Sequence, residues 1–261
     1  MGNNSTTILK VEGLTKRFGG LVAISDLSFD VESGTITAII GPNGAGKTTL
    51  FNLISGLIQP DSGRIVFNKK RIDTKKPWEI PYLGIARTFQ NLRVFPNMTI
   101  LENVMMGRYT HSSGGIFSCA MRLRASRKEE REIRERAKHW MQFMNIESIR
   151  DRKLKEIPFE KQRMVEITRA VASEPAVILL DEPAAGLSIT ETKSLIDMIY
   201  RVKELGTTIL IVEHDIDLIM EISGYIIVLD FGKKIAEGAP KEVRNDERVI
   251  AVYLGEEFEK Q

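Results

Sequence analysis

One cysteine in 261 residues, Cys119, leaves no internal disulfide to form and fits a reducing compartment. No apolar run approaches the ~18 residues needed to cross a bilayer. The polar start MGNNSTTILK has no apolar signal-peptide stretch, so a cytoplasmic chain is expected. Neither sign of charge dominates: 37 Lys and Arg stand against 35 Asp and Glu, a formal net charge of +2. The total therefore gives no strong field for nucleic acid or acidic lipid, and no nucleic-acid partner is expected. There is no repeat at solenoid periods and no low-complexity tract. What remains is an ordinary composition, 43% hydrophobic and 28% charged, with length enough for a buried core of one or two subdomains.

Against that background one stretch is unusual: Thr35–Thr49, TITAIIGPNGAGKTT. A short apolar run, Ile36 to Ile40, ends in Gly41. A glycine-rich loop follows, then Lys47, Thr48 and Thr49, then the helical-looking LFNLIS. This is strand, loop and helix with GxxxxGK[ST] in the loop. Gly41, Gly44 and Gly46 permit backbone angles that a side chain would block. The amides of the loop, Asn43 and Ala45 included, are then free to turn inward as an anion nest. The helix starting near Gly46 adds free N–H groups and its positive end. Lys47 supplies a mobile point charge to the β- and γ-phosphates, and Thr48 offers a hydroxyl to Mg²⁺. The expected ligand is a nucleotide with Mg²⁺.

Along the chain, residues 8–33 alternate as two strands around Phe18-Gly19-Gly20. Phe18 either packs the hairpin or stacks on adenine. Pro-Asp-Ser-Gly marks a turn before a strand at GRIVF. Residues 76–83 read as a short helix with Pro77 in its first turn. Gln90 sits just past a short apolar strand. Thr99-Ile-Leu-Glu102 opens a helix with a capping box, running to about Gly107. Residues 109–125 read as a loop or irregular insert. A charged helix follows from Ser126 to about Asn145, with Trp140, Phe143 and Met144 as an apolar stripe toward the core. PFEKQRMVEITRAVAS reads as a helix with Met164, Ile167 and Val171 inward. AVILLDEP is a buried strand ending in two acids. Ser188 caps the next helix, which closes at Gly206. TTILIVEHD is a strand ending at His214, DIDLIMEIS a short helix, YIIVLDFGKKIAEG a hairpin with Phe231-Gly232 in its turn, and residues 240–254 a helical tail. Strands alternating with helices predict an α/β fold with a mostly parallel sheet, and the front hairpins predict an added antiparallel sheet.

Several polar residues fall where phosphate chemistry needs them. Asp181 ends an apolar strand, where a carboxylate holds Mg²⁺ through water. Glu182 follows, placed to orient or deprotonate an attacking water. His214 ends a later strand as a candidate γ-phosphate contact, and Gln90 senses either Mg²⁺ or that water. Each has a plain structural alternative taken singly; their order along one chain is what carries the reading.

With these residues in view, the sequence resembles the ATP-binding cassette family, the ATPase subunits of ABC transporters, over nearly its whole length. GPNGAGKTT matches the Walker A motif and VILLDE the Walker B. Gln90 matches the Q-loop glutamine, His214 the switch histidine, Ala184–Ser188 the D-loop and Phe18 the adenine-stacking aromatic. GGLVAISDLSFDV, IARTFQNLRVFPNMTILENVMMGRY, DEPAAGLS and the tail IAEGAPKEVRNDERVIAVYLGE are most similar to branched-chain amino acid importer ATPases, with urea-type importers and the lipopolysaccharide-export ATPase nearby. The resemblance implies a P-loop NTPase fold and one ABC ATPase domain over 1–261. Residues 1–90 and 160–261 would form a nucleotide-binding core with its antiparallel β part, and 91–159 a helical signature subdomain. It further implies a dimer with a second, identical or different, ABC ATPase subunit, membrane permease partners, and peripheral attachment to the inner face of the membrane through those permeases only.

One segment departs from the family. Just before QRMVEITRA, where such importers carry something like LSYGQ, this chain has Ile157-Pro158-Phe159-Glu160-Lys161. In the family's closed dimer the signature Ser and Gly bind the γ-phosphate held by the partner. Pro158 offers neither hydroxyl nor N–H, and Glu160 brings a negative charge. Two like charges ~4 Å apart at an effective dielectric near 20 repel by about 4 kcal/mol. Three explanations stand: pairing with a different ATPase whose intact signature completes this chain's site, a drifted signature with weak activity, or a nucleotide-binding regulator. Ser188 stands where the family often has Asp or Asn.

Overall fold

The computed structural model describes residues 6–111 and 124–259, with the side chains of 111, 124–127 and 254–259 outside that description. Cys119 and most of the expected 109–125 insert lie outside the described residues. The chain divides into two compact units, 1–80 with 179–182 and 200–261, and 81–178 with 183–199.

The first unit is built on two sheets. In one, β1 (Thr7–Phe18) and β2 (Leu21–Glu32) form the expected hairpin, and β4 (Ser62–Phe67) and β5 (Lys70–Arg71) extend it in the order β2-β1-β4-β5, all antiparallel. In the other, β3 (Ile36–Ile40) lies between β8 (Thr208–Val212) and β9 (Tyr225–Asp230), parallel to both, with Ile36 opposite Ile209 and Thr37 opposite Tyr225. β10 (Lys233–Gly238) closes the edge as an antiparallel hairpin with β9. β7 (Val177–Asp181) follows β8 in the sheet order. Every residue of β3, β7 and β8 is buried. That is what apolar runs such as ILIV demand: a parallel strand covered on both faces reads as continuous rather than alternating hydrophobicity. Helix α1 (Lys47–Ile54) follows β3 directly and buries Leu50, Phe51, Leu53 and Ile54.

In the second unit, α2 (Ile100–Arg108) starts with the expected capping box: Thr99 Oγ1 accepts from the Glu102 amide, and Glu102 accepts from the Thr99 amide at 2.7 Å. α3 (Arg124–Phe143) buries Ile133, Ala137, Trp140 and Met141. Ser126 lies inside α3 rather than capping it. α4 (Phe159–Ala172) passes so close to α2 that a Cβ at Gly107 would lie 2.0 Å from the Arg169 carbonyl oxygen. β6 (Ile85–Arg87) leads out of Gly84, whose carbonyl accepts from the Ala176 and Val177 amides where β7 begins. α5 (Ile189–Glu204) opens on a reciprocal cap, Ser188 N–H donating to Glu191 Oε2 at 2.6 Å and Glu191 N–H to Ser188 Oγ at 3.4 Å. The first unit also holds the last three helices, α6 (Ile216–Ile222), α7 (Pro240–Arg244) and α8 (Glu247–Glu259).

Two expectations need correction. Residues 76–79 form a turn, closed by the Glu79 amide on the Lys76 carbonyl and the Lys76 amide on Glu79 Oε2, so the helical turn begins only at Ile80 and Pro77 lies before it. In α4 Met164 is only half-buried, and the fully buried positions include Arg163 and Glu166. A charged pair occupies interior that the hydrophobic spacing assigned to methionine.

Candidate functional site

The site begins where β3 runs into α1. Gly41 (φ 148°) and Gly46 (φ 101°) hold backbone angles that disfavour a side chain. A Cβ at Gly41 would sit 2.0 Å from the Leu229 carbonyl oxygen, and one at Gly46 2.6 Å from that of Ala23. The loop is thus wedged between neighbouring strands, and only glycine fits its two ends. The Ala45 amide donates to the Pro42 carbonyl (3.1 Å), and the Ala45 carbonyl accepts from Gly232 N–H (3.0 Å) in the β9–β10 turn. Lys47 is buried, and its ammonium donates back to the carbonyls of Gly41 (2.6 Å) and Pro42 (2.9 Å). Lys47 thereby places a buried positive charge against the loop backbone.

Two acids end β7. Asp181 is buried, 3% exposed. Glu182 has φ 48°, the left-handed region that is uncommon for a residue with a side chain. Its amide donates to the Val212 carbonyl at 2.9 Å, which fixes this conformation against the end of β8. Strain of order 1–3 kcal/mol persists where surrounding structure imposes it, and such positions cluster at functional sites. The Glu182 side chain meets His214, Oε1 lying 2.8 Å from Nε2. His214 stands just beyond β8, before Asp215, which caps α6 by accepting from the Leu218 amide at 3.0 Å.

One open cavity of about 320 Å³ is lined by Phe18, Asn43, Gly44, Ala45, Gly46, Lys47, Thr48, Thr49, Glu182 and His214. Leu21, Val22, Ala23 and Phe231 complete the lining. Gly41 touches this group through the Lys47 bond and Asp181 through its neighbour Glu182. Gln90 belongs to the second unit. A larger cavity, about 700 Å³, gathers Lys10, Glu12, Glu237 and Tyr225 with Thr35 and Thr37 of the β3 start, the end of the strand away from the phosphate loop. Volume is a poorer guide here than convergent chemistry.

Phe18 is about half exposed. The Lys16 ammonium sits 5.5 Å from its ring centroid and bonds Asp61 Oδ1 at 2.9 Å, while the other Asp61 oxygen accepts from the Arg17 amide at 2.6 Å. The strand end carrying Phe18 is therefore tied down.

In the second unit the backbone at Gln90 is gripped by a buried ion pair that the sequence reading missed. The Arg163 guanidinium donates to the carbonyls of Phe89 (2.8 Å) and Gln90 (3.0 Å) and to Glu166 Oε2 (3.0 Å). Glu166 Oε1 accepts from the Arg93 amide at 3.1 Å. Both side chains are almost wholly buried, and removing one partner of such a pair leaves an uncompensated charge costing about 3–5 kcal/mol. The i,i+3 spacing was visible, but the carbonyls that accept from the two terminal guanidinium nitrogens lie some 70 residues upstream in the chain. At the start of α4, Pro158 provides no side-chain cap, Glu160 lies in the first turn, and Lys161 Nζ sits 3.3 Å from Glu160 Oε1.

A family model described as ABC transporter matches residues 24–185, and one described as branched-chain amino acid ATP-binding cassette transporter matches residues 233–259. The chain is 39% identical to the high-affinity branched-chain amino acid transport ATP-binding protein BraF of Pseudomonas aeruginosa, over 97% of this chain and 99% of that protein. It is 37% identical to LivG of Escherichia coli K12, likewise a high-affinity branched-chain amino acid transport ATP-binding protein, with the same coverage. Its fold is similar to the crystal structure of an ATP-binding cassette of an ABC transporter in its ADP conformation, with a TM-score of 0.84 and 33% identity, covering 96% of this chain and 100% of that one. A glycine-wedged phosphate loop, a buried lysine and a strand-end acid pair are thus found in a chain that belongs to the ABC transporter ATP-binding family.

Proposed function

We propose that this chain is the ATP-hydrolysing subunit of an importer for branched-chain amino acids. The observation that carries the reading is the single cavity shared by the Lys47 loop and the Glu182–His214 pair. Lys47 and the loop amides grip the phosphates, and Phe18 stacks on adenine. Glu182 takes the proton of the attacking water, and His214 positions both Glu182 and the γ-phosphate. The strained Glu182 backbone keeps its carboxylate aimed while the proton moves.

Among the described residues no three His, Cys, Asp or Glu side chains converge to hold a metal alone. Mg²⁺ keeps several waters and uses substrate phosphates with one or two protein oxygens. The hard oxygens of Thr48 and Asp181 fit this donor set. Mg²⁺ would supply charge neutralisation at the β- and γ-oxygens.

ATP closes two such subunits on one another, and hydrolysis reopens them; permeases take up the motion. No helix among the described residues is long and apolar enough to cross a membrane. The permeases hold the chain at the cytoplasmic face of the membrane. The segment Ile157–Lys161 favours pairing with a different ATPase. Pro158 offers no donor, and the Glu160 carboxylate, paired with Lys161, suits the positive end of α4 better than a triphosphate. ATPase activity should therefore be low for the chain alone and rise when a cassette subunit with an intact signature is added. High activity alone, unaltered by that partner, would remove the basis for heteromeric pairing. The relatives BraF and LivG support branched-chain amino acids as the cargo class; transport assays with the cognate permeases test it.

A further inference from the structure

Phe231 is 83% exposed, the most exposed large apolar side chain among the described residues. It sits in the β9–β10 turn at φ 42°, a left-handed angle that glycine or asparagine would adopt with less strain. Nothing in the fold of the turn calls for an aromatic ring there. The turn itself is held firmly. Gly232 N–H donates to the Ala45 carbonyl of the phosphate loop at 3.0 Å, and Gly232 O accepts from the Ser25 amide at 2.9 Å. A Cβ at Gly232 would lie 2.6 Å from the Ala23 carbonyl oxygen. The ring is thus carried by a backbone locked on one side to the loop that grips phosphate and on the other to β2. It lines the same cavity as Phe18, Lys47 and Thr49.

We infer that Phe231 is a second aromatic wall of the nucleotide site and contacts the purine base together with Phe18. Resting on the nucleotide reading above, this gives base recognition two apolar contacts. Phe18 is positioned through Lys16 and Asp61, and Phe231 through Gly232 and Ala45. In both cases bonds within the protein set the backbone that carries the ring, so little backbone ordering is left to be done on binding. Because the base is planar and apolar-faced while the triphosphate is neither, Phe231 serves base affinity and leaves phosphate affinity alone.

The test compares calorimetric binding of MgATP and of magnesium tripolyphosphate to the full chain and its Phe231→Ala and Phe231→Tyr variants, with unfolding temperatures measured beside them. Phe231→Ala should weaken MgATP about tenfold, the scale of one lost base–aromatic contact, leave tripolyphosphate binding unchanged, and unfold no earlier. Phe231→Tyr should bind MgATP as the parent does. Unchanged MgATP affinity in Phe231→Ala, equal losses for both ligands, or a Tyr variant as weak as the Ala variant would each overturn the inference. Failure of the parent chain to bind MgATP would instead overturn the nucleotide reading itself.

Discussion

Glu182→Gln should bind MgATP as tightly as the parent chain and hydrolyse it at least ~10²-fold more slowly, the range expected when a general base is lost. The substitution is nearly isosteric. A glutamine amide oxygen still accepts from His214 Nε2–H, so the 2.8 Å contact and the φ 48° backbone are retained. What goes is the capacity to take a proton from water. The assay belongs in the assembly that turns over ATP, the chain with its partner subunit. Slow turnover with intact binding separates a lost base from a damaged pocket. Near-normal turnover would show that another group accepts the proton and that Glu182 serves only to hold His214.

The second large effect is a gain. Pro158→Ser with Glu160→Gly should raise the ATPase activity of the chain on its own about 10²-fold, the value of regaining one preorganised donor at a developing charge. Two physical changes act together. A serine at the first position before α4 restores a hydroxyl and an amide where Pro158 has neither, and the N-cap it forms should also stabilise α4 by about 1 kcal/mol. Removing the Glu160 carboxylate, along with its pairing to Lys161, takes away a charge that would repel a triphosphate brought to the start of α4. Activity that stays low in the double variant, with thermal unfolding intact, would mean that this segment does not limit hydrolysis. The drifted-signature and heteromeric explanations would then both lose their basis.

How far the chain could be read without coordinates followed the range of the interactions involved. The phosphate loop, the Thr99–Glu102 capping box and the Ser188–Glu191 cap are local, each set by residues within a few positions, and the strand–loop–helix order is written in composition. The parallel core was legible because buried strands leave unbroken apolar runs. Arg163 and Glu166 were not, since what makes their burial tolerable is a pair of carbonyls at Phe89 and Gln90 and an amide at Arg93. Phe231 gave no signal beyond a turn, because its significance depends on Gly232 meeting Ala45 across the sheet. The turn at 76–79 displaced a helix start by a few residues through a side-chain bond, Lys76 N–H to Glu79, of a kind that competes with helical bonding.

In the proposed function the amides of the Gly41–Thr48 loop and the Lys47 ammonium hold a magnesium-bound triphosphate. Titrating MgATP into the folded chain by calorimetry tests it most directly. A saturable heat with one nucleotide bound per chain is expected, lost on Lys47→Ala while the fold persists. No heat of association in folded protein, or binding that survives Lys47→Ala undiminished, would contradict it.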